Sequence, residues 1–269
     1  MVSECPHIIV FMTDFGLNDT YVGQMKGVIL SISPLAQIID LTHSISPQNV
    51  VQGAFILQKS VLYFPAKSII VSIVDPGVGS LRKAIAVETD RHTFLAPDNG
   101  VLTGIFQTQI IKRCISITEK RYMLAVQSAT FHGRDVFSPI AGHLLAGVSI
   151  QDLGNEMDPS DCIKIQLPKC STSDNGQTWN GSIIYTDHFG NLVTSLDTER
   201  FDASNHWQLQ VGICKPIPIV TTYADVGNLQ PLAYTGSSGM IEIAIRNGNA
   251  SSTLDVGEGD PVRISIIAK

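Results

Sequence analysis

Apolar positions in the first 150 residues follow two alternating rhythms. Short apolar runs at 7–12 (HIIVFM), 36–42 (AQIIDLT), 68–74 (SIIVSIV) and 83–89 (KAIAVET) read as strands, the third buried on both faces. Between the runs, apolar residues recur every three or four positions. Over 20–32 this spacing places Tyr21, Val22, Met25, Val28 and Ile29 on one helical stripe, which Pro34 stops. A second helix carries Val50, Val51, Ala54, Phe55, Leu57, Val61 and Leu62, with Ser46 as its N-cap and Pro47 in its first turn. Residues 93–100 (TFLAPDNG) read as a short strand breaking into a loop, and 130–148 as a loop that enters a helix near Val136. The alternation predicts an α/β fold: an N-terminal layer domain, residues 1–165, with a mainly parallel sheet.

The rhythm changes after about residue 165. Residues 166–179 are polar and rich in Ser, Asn and Gly, and read as a linker. Over 180–269 only short β segments follow, at 182–187, 191–196, 207–212, 217–226, 240–245 and 261–268, punctuated by Gly, Asn, Asp and Pro. This second part is expected to be a smaller, all-β barrel domain.

Composition narrows the function classes. Of 269 residues, 44% are hydrophobic and 16% charged, the balance of a folded chain. The net charge of −6 and the lack of a basic stripe argue against nucleic acid as a partner. The first residues lack the basic flank and apolar core of a signal peptide, and no apolar run is long enough to span a bilayer. Five cysteines (5, 114, 162, 170 and 214), odd in number and without C-x-x-C spacing, read as free thiols in a reducing cytoplasm and suggest no zinc or other metal site.

Candidate chemistry gathers where strands run out into glycine turns, which in open α/β sheets is the ligand-binding edge. The segments are TDFGLNDTYVGQMKG (13–27), VDPGVGSLR (74–82), APDNG (96–100), TFHGRD (130–135), DHFGN (187–191) and GSSGMIEIAIRNGNA (236–250). Taken singly, each has an ordinary structural reading. Asp14 reads equally as a helix cap, Asp75 before Pro-Gly as a turn with Arg82 as its counter-ion, and Asp98 and Asn99 as a turn. DFG matches the protein-kinase magnesium motif, but the accompanying kinase motifs are missing.

Together and in this order, the six segments resemble the S-adenosyl-L-methionine hydroxide adenosyltransferases, a superfamily that also contains fluorinases and chlorinases. The resemblance runs over essentially the whole chain. It implies an α/β domain joined to a C-terminal β-barrel, and a homotrimer with active sites between subunits. It implies hydrolysis of S-adenosyl-L-methionine, a small-molecule substrate, to adenosine and L-methionine, with no cofactor. On matching motifs it implies Asp75, Arg82 and His132 as the catalytic set, and Asp14 as the carboxylate that grips the ribose hydroxyls. It implies substrate contacts from Asp187, Phe189, Asn191, Ser237 toward the amino acid, Glu242 toward adenine, and the backbone of Ala250. The aspartate at 75 and the histidine at 132 set the chain on the hydrolytic side of the superfamily. A non-catalytic binder of the same ligand, and a halide-using transferase, remain the alternatives.

Overall fold

The structure is a computed structural model that describes residues 8–201, 206–213 and 215–267. The chain divides into two compact units after Leu167.

The first unit contains strands β1 (Ile8–Thr13), β2 (Gln37–Thr42), β3 (Ile69–Ile73), β4 (Ala84–Thr89), β5 (Thr93–Pro97), β6 (Ile111–Ile117) and β7 (Gly154–Glu156). Its helices are α1 (Tyr21–Ile32), α2 (Val50–Ser60), α3 (Thr103–Thr108) and α4 (Ser138–Leu145). The strands form one seven-stranded sheet in the order β2-β1-β3-β5-β4-β6-β7. Only half of it is the expected parallel layer. β1 pairs parallel with β2 and β3, and β3 with β5, whereas β5-β4, β4-β6 and β6-β7 are antiparallel. The reason is the short turn from β4 into β5, which has no room for the helical crossover a parallel partner requires.

Strand alternation explains why the central strands are apolar throughout. β1 sends Ile9 and Phe11 to one face, where α1 and α4 bring Met25, Ile29, Ile140 and Ala141. It sends Ile8, Val10 and Met12 to the other, against Leu57 of α2 and Ile105 of α3. Each of the larger buried side chains here contributes roughly 1.5–3 kcal/mol relative to exposure, so the sheet's position between its helices is strongly specified. The N-cap of α2 differs from the expectation of Ser46 and Pro47. Asn49 Oδ1 accepts the Gln52 N–H at 2.9 Å, while Ser46 N donates to Gln52 Oε1 at 2.8 Å.

The second unit contains β8 (Ser171–Ser173), β9 (Thr178–Thr186), β10 (Leu192–Asp197), β11 (Trp207–Val211), β12 (Ile217–Pro218), β13 (Pro231–Thr235), β14 (Met240–Ile245), β15 (Pro261–Ile266) and the short helix α5 (Ala250–Leu254). Its sheet runs β12-β11-β15-β9-β10-β14-β13, with β8 on β9, and its strand pairs are antiparallel. An isolated bridge from Ile219 to Ala233 links the two ends of that path, so the sheet nearly closes on itself around Ile183, Leu192, Leu209, Ile243 and Ile264. Three details depart from the sequence reading. β8 and the start of β9 lie within the stretch read as linker, 217–226 is paired only at its start, and β13 and α5 were not foreseen. Residue 268, at the end of the last expected segment, lies outside the described residues. Among the described residues, no helix is long and apolar enough to cross a membrane.

Candidate active site

The register of the first sheet brings two acids to one edge. Thr13 pairs with Ile73 across β1 and β3, so Asp14 and Asp75 leave neighbouring parallel strands at their carboxyl ends. Asp75 opens a nested turn: Val78 N–H donates to the Asp75 carbonyl, Ser80 N–H to Gly77, and Arg82 N–H to Ser80 Oγ. Gly79 takes φ +80°, and a Cβ there would lie 2.6 Å from the carbonyl oxygen of Ala129, so this position needs glycine on both counts.

The turn folds Arg82 back onto Asp75. Arg82 Nε lies 3.1 and 2.9 Å from the two carboxylate oxygens, and Nη2 closes on Oδ2 as well. Both side chains are nearly buried, with 8% and 5% of their surface exposed, so the pair is one that solvent hardly screens. The same Nη2 donates to His132 Nδ1 at 2.9 Å, and the guanidinium lies over the Phe137 ring. A guanidinium has no acceptor, so His132 Nδ1 must be the acceptor in this contact. The imidazole is therefore neutral, with its proton on Nε2. Burial pushes the His132 pKa below the ordinary 6.5, and Arg82 lowers it further, against weaker opposing pulls from Asp75 and Asp135.

His132 stands just before a single π-type turn, Gly133–Phe137, that leads into α4. Fully buried Asp135 fastens this turn: it accepts from Ser128 N–H at 2.6 Å and from Arg134 at 2.6 and 3.1 Å. Burial pushes the Asp135 carboxyl up, but Arg134 and the Ser128 amide outweigh it and hold the pKa below the usual 3.8. Phe131 packs edge-to-face on Phe15 at 6.0 Å and on Tyr21 at 5.1 Å, tying the histidine segment to the residue after Asp14. Asp14 itself accepts the Gln48 N–H at 2.8 Å, and its neighbour Thr13 bonds His43 Nδ1 at 2.8 Å.

The remaining candidates belong to the second unit, where a cleft of about 740 Å³ is lined by Phe189, Asn191, Tyr223, Arg246 and Asn249 among others. Asp187 Oδ1 accepts the N–H groups of Phe189 and Asn191, both at 2.8 Å, a turn that leaves the Phe189 ring 73% exposed. Asn191 Nδ2 donates to Asp187 Oδ2 at 3.0 Å and to Tyr223 Oη at 3.2 Å. With both amide hydrogens engaged, Oδ1 is what Asn191 offers a ligand. A hydroxyl chain continues from Tyr223 to Tyr234 at 2.7 Å and from Tyr234 to Glu242 at 2.6 Å. Burial raises the Glu242 pKa above 4.5, and Asp187 adds to the rise, with the Tyr234 hydrogen bond opposing.

The structure thus joins Asp75, Arg82 and His132 in one contact chain and sets Asp14 on the same sheet edge. In the second unit, Phe189 and Asn191 line the cleft, and Asp187 and Glu242 join its hydrogen-bond network. Ala250 is buried at the start of α5, next to cleft residue Asn249. Ser237 lies on an exposed turn at the opposite end of β14 from the cleft residues 245–249. Tyr223, Tyr234 and Arg246 escaped the sequence reading. The RNGN run at 246–249 was the available signal for Arg246, but Tyr223 opens a short 3-10 turn and Tyr234 lies in β13, and neither carries a signal in the sequence. Among the described residues, no group of three or more His, Cys, Asp or Glu side chains is placed to hold a metal ion.

Comparison with known proteins covers both units. The family model for the SAM hydroxide adenosyltransferase N-terminal domain matches residues 9–154, and that for the C-terminal domain matches 181–263. The chain is 33% identical to a Thermus thermophilus protein named (R)-S-adenosyl-L-methionine hydrolase, over 95% of this chain and 98% of that protein. It is 35% identical to a Methanocaldococcus jannaschii protein of the same name, over 96% and 95% of the two. A fluorinase from Actinoplanes is 27% identical over 88% and 90%. A crystal structure of an uncharacterized conserved protein from Thermotoga maritima superposes with a TM-score of 0.85 at 34% identity, covering 96% of this chain and 99% of that one.

Proposed function

We propose that this chain, which belongs to the SAM hydroxide adenosyltransferase family, hydrolyses S-adenosyl-L-methionine to adenosine and L-methionine. The observation that carries the reading is the nearly buried Asp75–Arg82–His132 chain at the carboxyl edge of the sheet. Four relatives at 33–35% identity over most of the chain bear the hydrolase name, which supports the same activity here.

The reaction is a displacement at the ribose C5′. A bond forms from the water oxygen to C5′, the C5′–S bond breaks, and its electron pair leaves with sulfur as the neutral thioether of methionine. A sulfonium is already an activated leaving group, so neither an acid nor a cofactor is needed at that end. The difficulty is the nucleophile. Water is a far weaker acid than a carboxylic acid, so a carboxylate takes its proton only as the new bond forms, and Asp75 is assigned that role. His132 is unsuited to that task. Its Nδ1 is occupied by Arg82 and its Nε2 already carries the proton, so it acts as a donor that orients the attacking oxygen. Arg82 holds carboxylate and imidazole in fixed relation, which is where positioning gains arise. Charge is neutralised as an electron-rich oxygen meets a sulfonium, so the low-dielectric walls around this chain favour the transition state.

Asp14 is assigned to the ribose hydroxyls, and the cleft between Phe189 and Tyr223 to the adenine. Aromatic faces suit a nucleobase, at ~1–3 kcal/mol per stacked base. Asp187, Asn191, Ser237, Glu242 and Ala250 keep the substrate-binding roles the resemblance implies. A homotrimer with active sites between subunits is part of this reading, and light scattering on the purified protein tests it. The free thiols of Cys114 and Cys162, 3.4 Å apart, fit a reducing cytoplasm. The deciding experiment is turnover in oxygen-18 water. The label is expected in the 5′-hydroxyl of adenosine, and adenosine free of label overturns the displacement.

A further inference from the structure

We infer that Asn99 is a positioning residue for the catalytic turn, acting on Asp75 and Arg82 through the backbone that carries them. The inference rests on the hydrolase reading above.

The Asp75–Arg82 turn has two feet, Val74 at the end of β3 and Lys83 at the start of β4. Strand β5 lies between β3 and β4 in the sheet, and its last residues meet both feet. On one side, the Asp98 N–H donates to the Lys83 carbonyl at 2.9 Å. On the other, the Asn99 side chain reaches back and donates Nδ2 to the Val74 carbonyl at 2.7 Å. Adjacent residues thus bridge the entry and exit of one loop. The first contact is backbone to backbone, and any residue at 98 except proline would make it. The second depends on the amide of Asn99.

That amide is held from its other end as well. Asn99 Oδ1 accepts the Val101 N–H at 3.2 Å, which fixes which end of the side chain faces Val74. Behind it, Asp98 is 5% exposed and accepts the Ile163 N–H at 2.8 Å, anchoring the 97–101 loop to the segment beyond the sheet. Val74 is fully buried, and parallel pairing of β3 with β5 runs only as far as Val71 and Leu95. The Val74 carbonyl therefore lies beyond the β3–β5 ladder just where Asp75 begins, and the donor that this buried group needs is supplied by the Asn99 amide. Without the amide, the peptide joining Val74 to Asp75 loses the contact that fixes its orientation, and the carboxylate shifts with it. Displacement of a reacting group by about 1 Å is enough to lower a rate about a hundredfold.

The test is Asn99→Ala with Asn99→Asp beside it, the second being isosteric and keeping an acceptor for Val101 while losing the donor to Val74. Adenosine release from S-adenosyl-L-methionine gives kcat and KM, and calorimetric titration with adenosine gives product affinity. Both variants are expected to lose kcat by roughly 10- to 100-fold, with KM and adenosine affinity within about threefold, because Asp14 and the second-unit cleft are untouched. A purely structural role would instead lower the melting temperature while folded protein kept its kcat, and that result overturns the inference. So does a loss confined to KM. A wild type that releases no adenosine overturns the hydrolase reading and this inference with it. An active wild type beside fully active variants overturns this inference alone.

Discussion

Replacing Arg82 with lysine isolates what the guanidinium adds beyond its charge. In the native protein one side chain makes contacts to both oxygens of Asp75 and a further one, at 2.9 Å, to His132 Nδ1. A lysine ammonium is a point charge on a flexible stem, and it can satisfy Asp75 or His132 but not the planar fork that joins them. Because Asp75 is nearly buried, the ammonium is drawn to the carboxylate, and His132 Nδ1 loses its donor. A hydrogen bond from a charged group contributes about 1.5–3 kcal/mol. If that stabilisation is realised in the transition state, kcat falls by about 10- to 150-fold at 1.36 kcal/mol per decade. KM changes little, since the binding contacts assigned to Asp14 and the cleft do not involve Arg82. Initial rates of adenosine formation, measured by chromatography over a range of substrate concentrations, supply both parameters. A double-mutant cycle sharpens the test: in a His132→Ala background Arg82→Lys should cost clearly less, because the contact it breaks is already gone. A kcat within about threefold of wild type, or equal costs in both backgrounds, would refute the argument that Arg82 works by joining the two groups.

Four further outcomes follow from the structure. Protonated His132 would turn an N–H toward the Arg82 guanidinium, so activity should fall on acidification with a limb below the ordinary imidazole value of 6.5; a limb above it contradicts the assigned hydrogen-bond direction. His92, whose pKa burial and then Arg91 push down, shares this sign in stability. Below 6.5 and above the lowered native values the unfolded chain binds protons the native state does not, so melting temperature should decline as pH falls through that window. Gly79→Ala places a Cβ 2.6 Å from the Ala129 carbonyl at φ +80°, and should cost about 1–3 kcal/mol in denaturant unfolding together with much of kcat; an unchanged unfolding midpoint would show that the turn adapts. Phe189→Ala should weaken adenosine binding by about 1–3 kcal/mol in calorimetric titration while leaving stability near wild type, because the ring is 73% exposed; equal affinity would remove the base from this cleft.

How far the sequence could be read depended on whether a feature was local. The burial of β3 on both faces was visible in its apolar run, β1 was visible as an apolar strand, and α1 in the spacing of Val22, Met25 and Ile29. Pairing direction was less accessible: β4 carries the same kind of apolar run as β3, yet it runs antiparallel because of the short turn into β5. Ser46 and Pro47 look like a helix start, but Asn49 captured the orphan amide because the helix begins only at Val50. Strand β13 is only five residues long and opens on a proline, and it is identified by its ladder with β14. Asn99 read as turn chemistry, which it also is; that its amide reaches Val74, 25 positions earlier, is a consequence of strand order.

The chain by itself determined that Asp75, Arg82 and His132 each stand beside a glycine turn. Turn chemistry is short-range and gives each of them singly an ordinary structural reading; their candidacy as a set comes from the resemblance of the ordered motifs to the family. The tertiary structure alone decided that Arg82 and His132, 50 residues apart, share a hydrogen bond, which of the histidine's nitrogens holds the proton, and which loop contacts both feet of the Asp75–Arg82 turn. Such relations arise from sheet order and buried packing, where contacts between distant segments are made only once the whole core has formed.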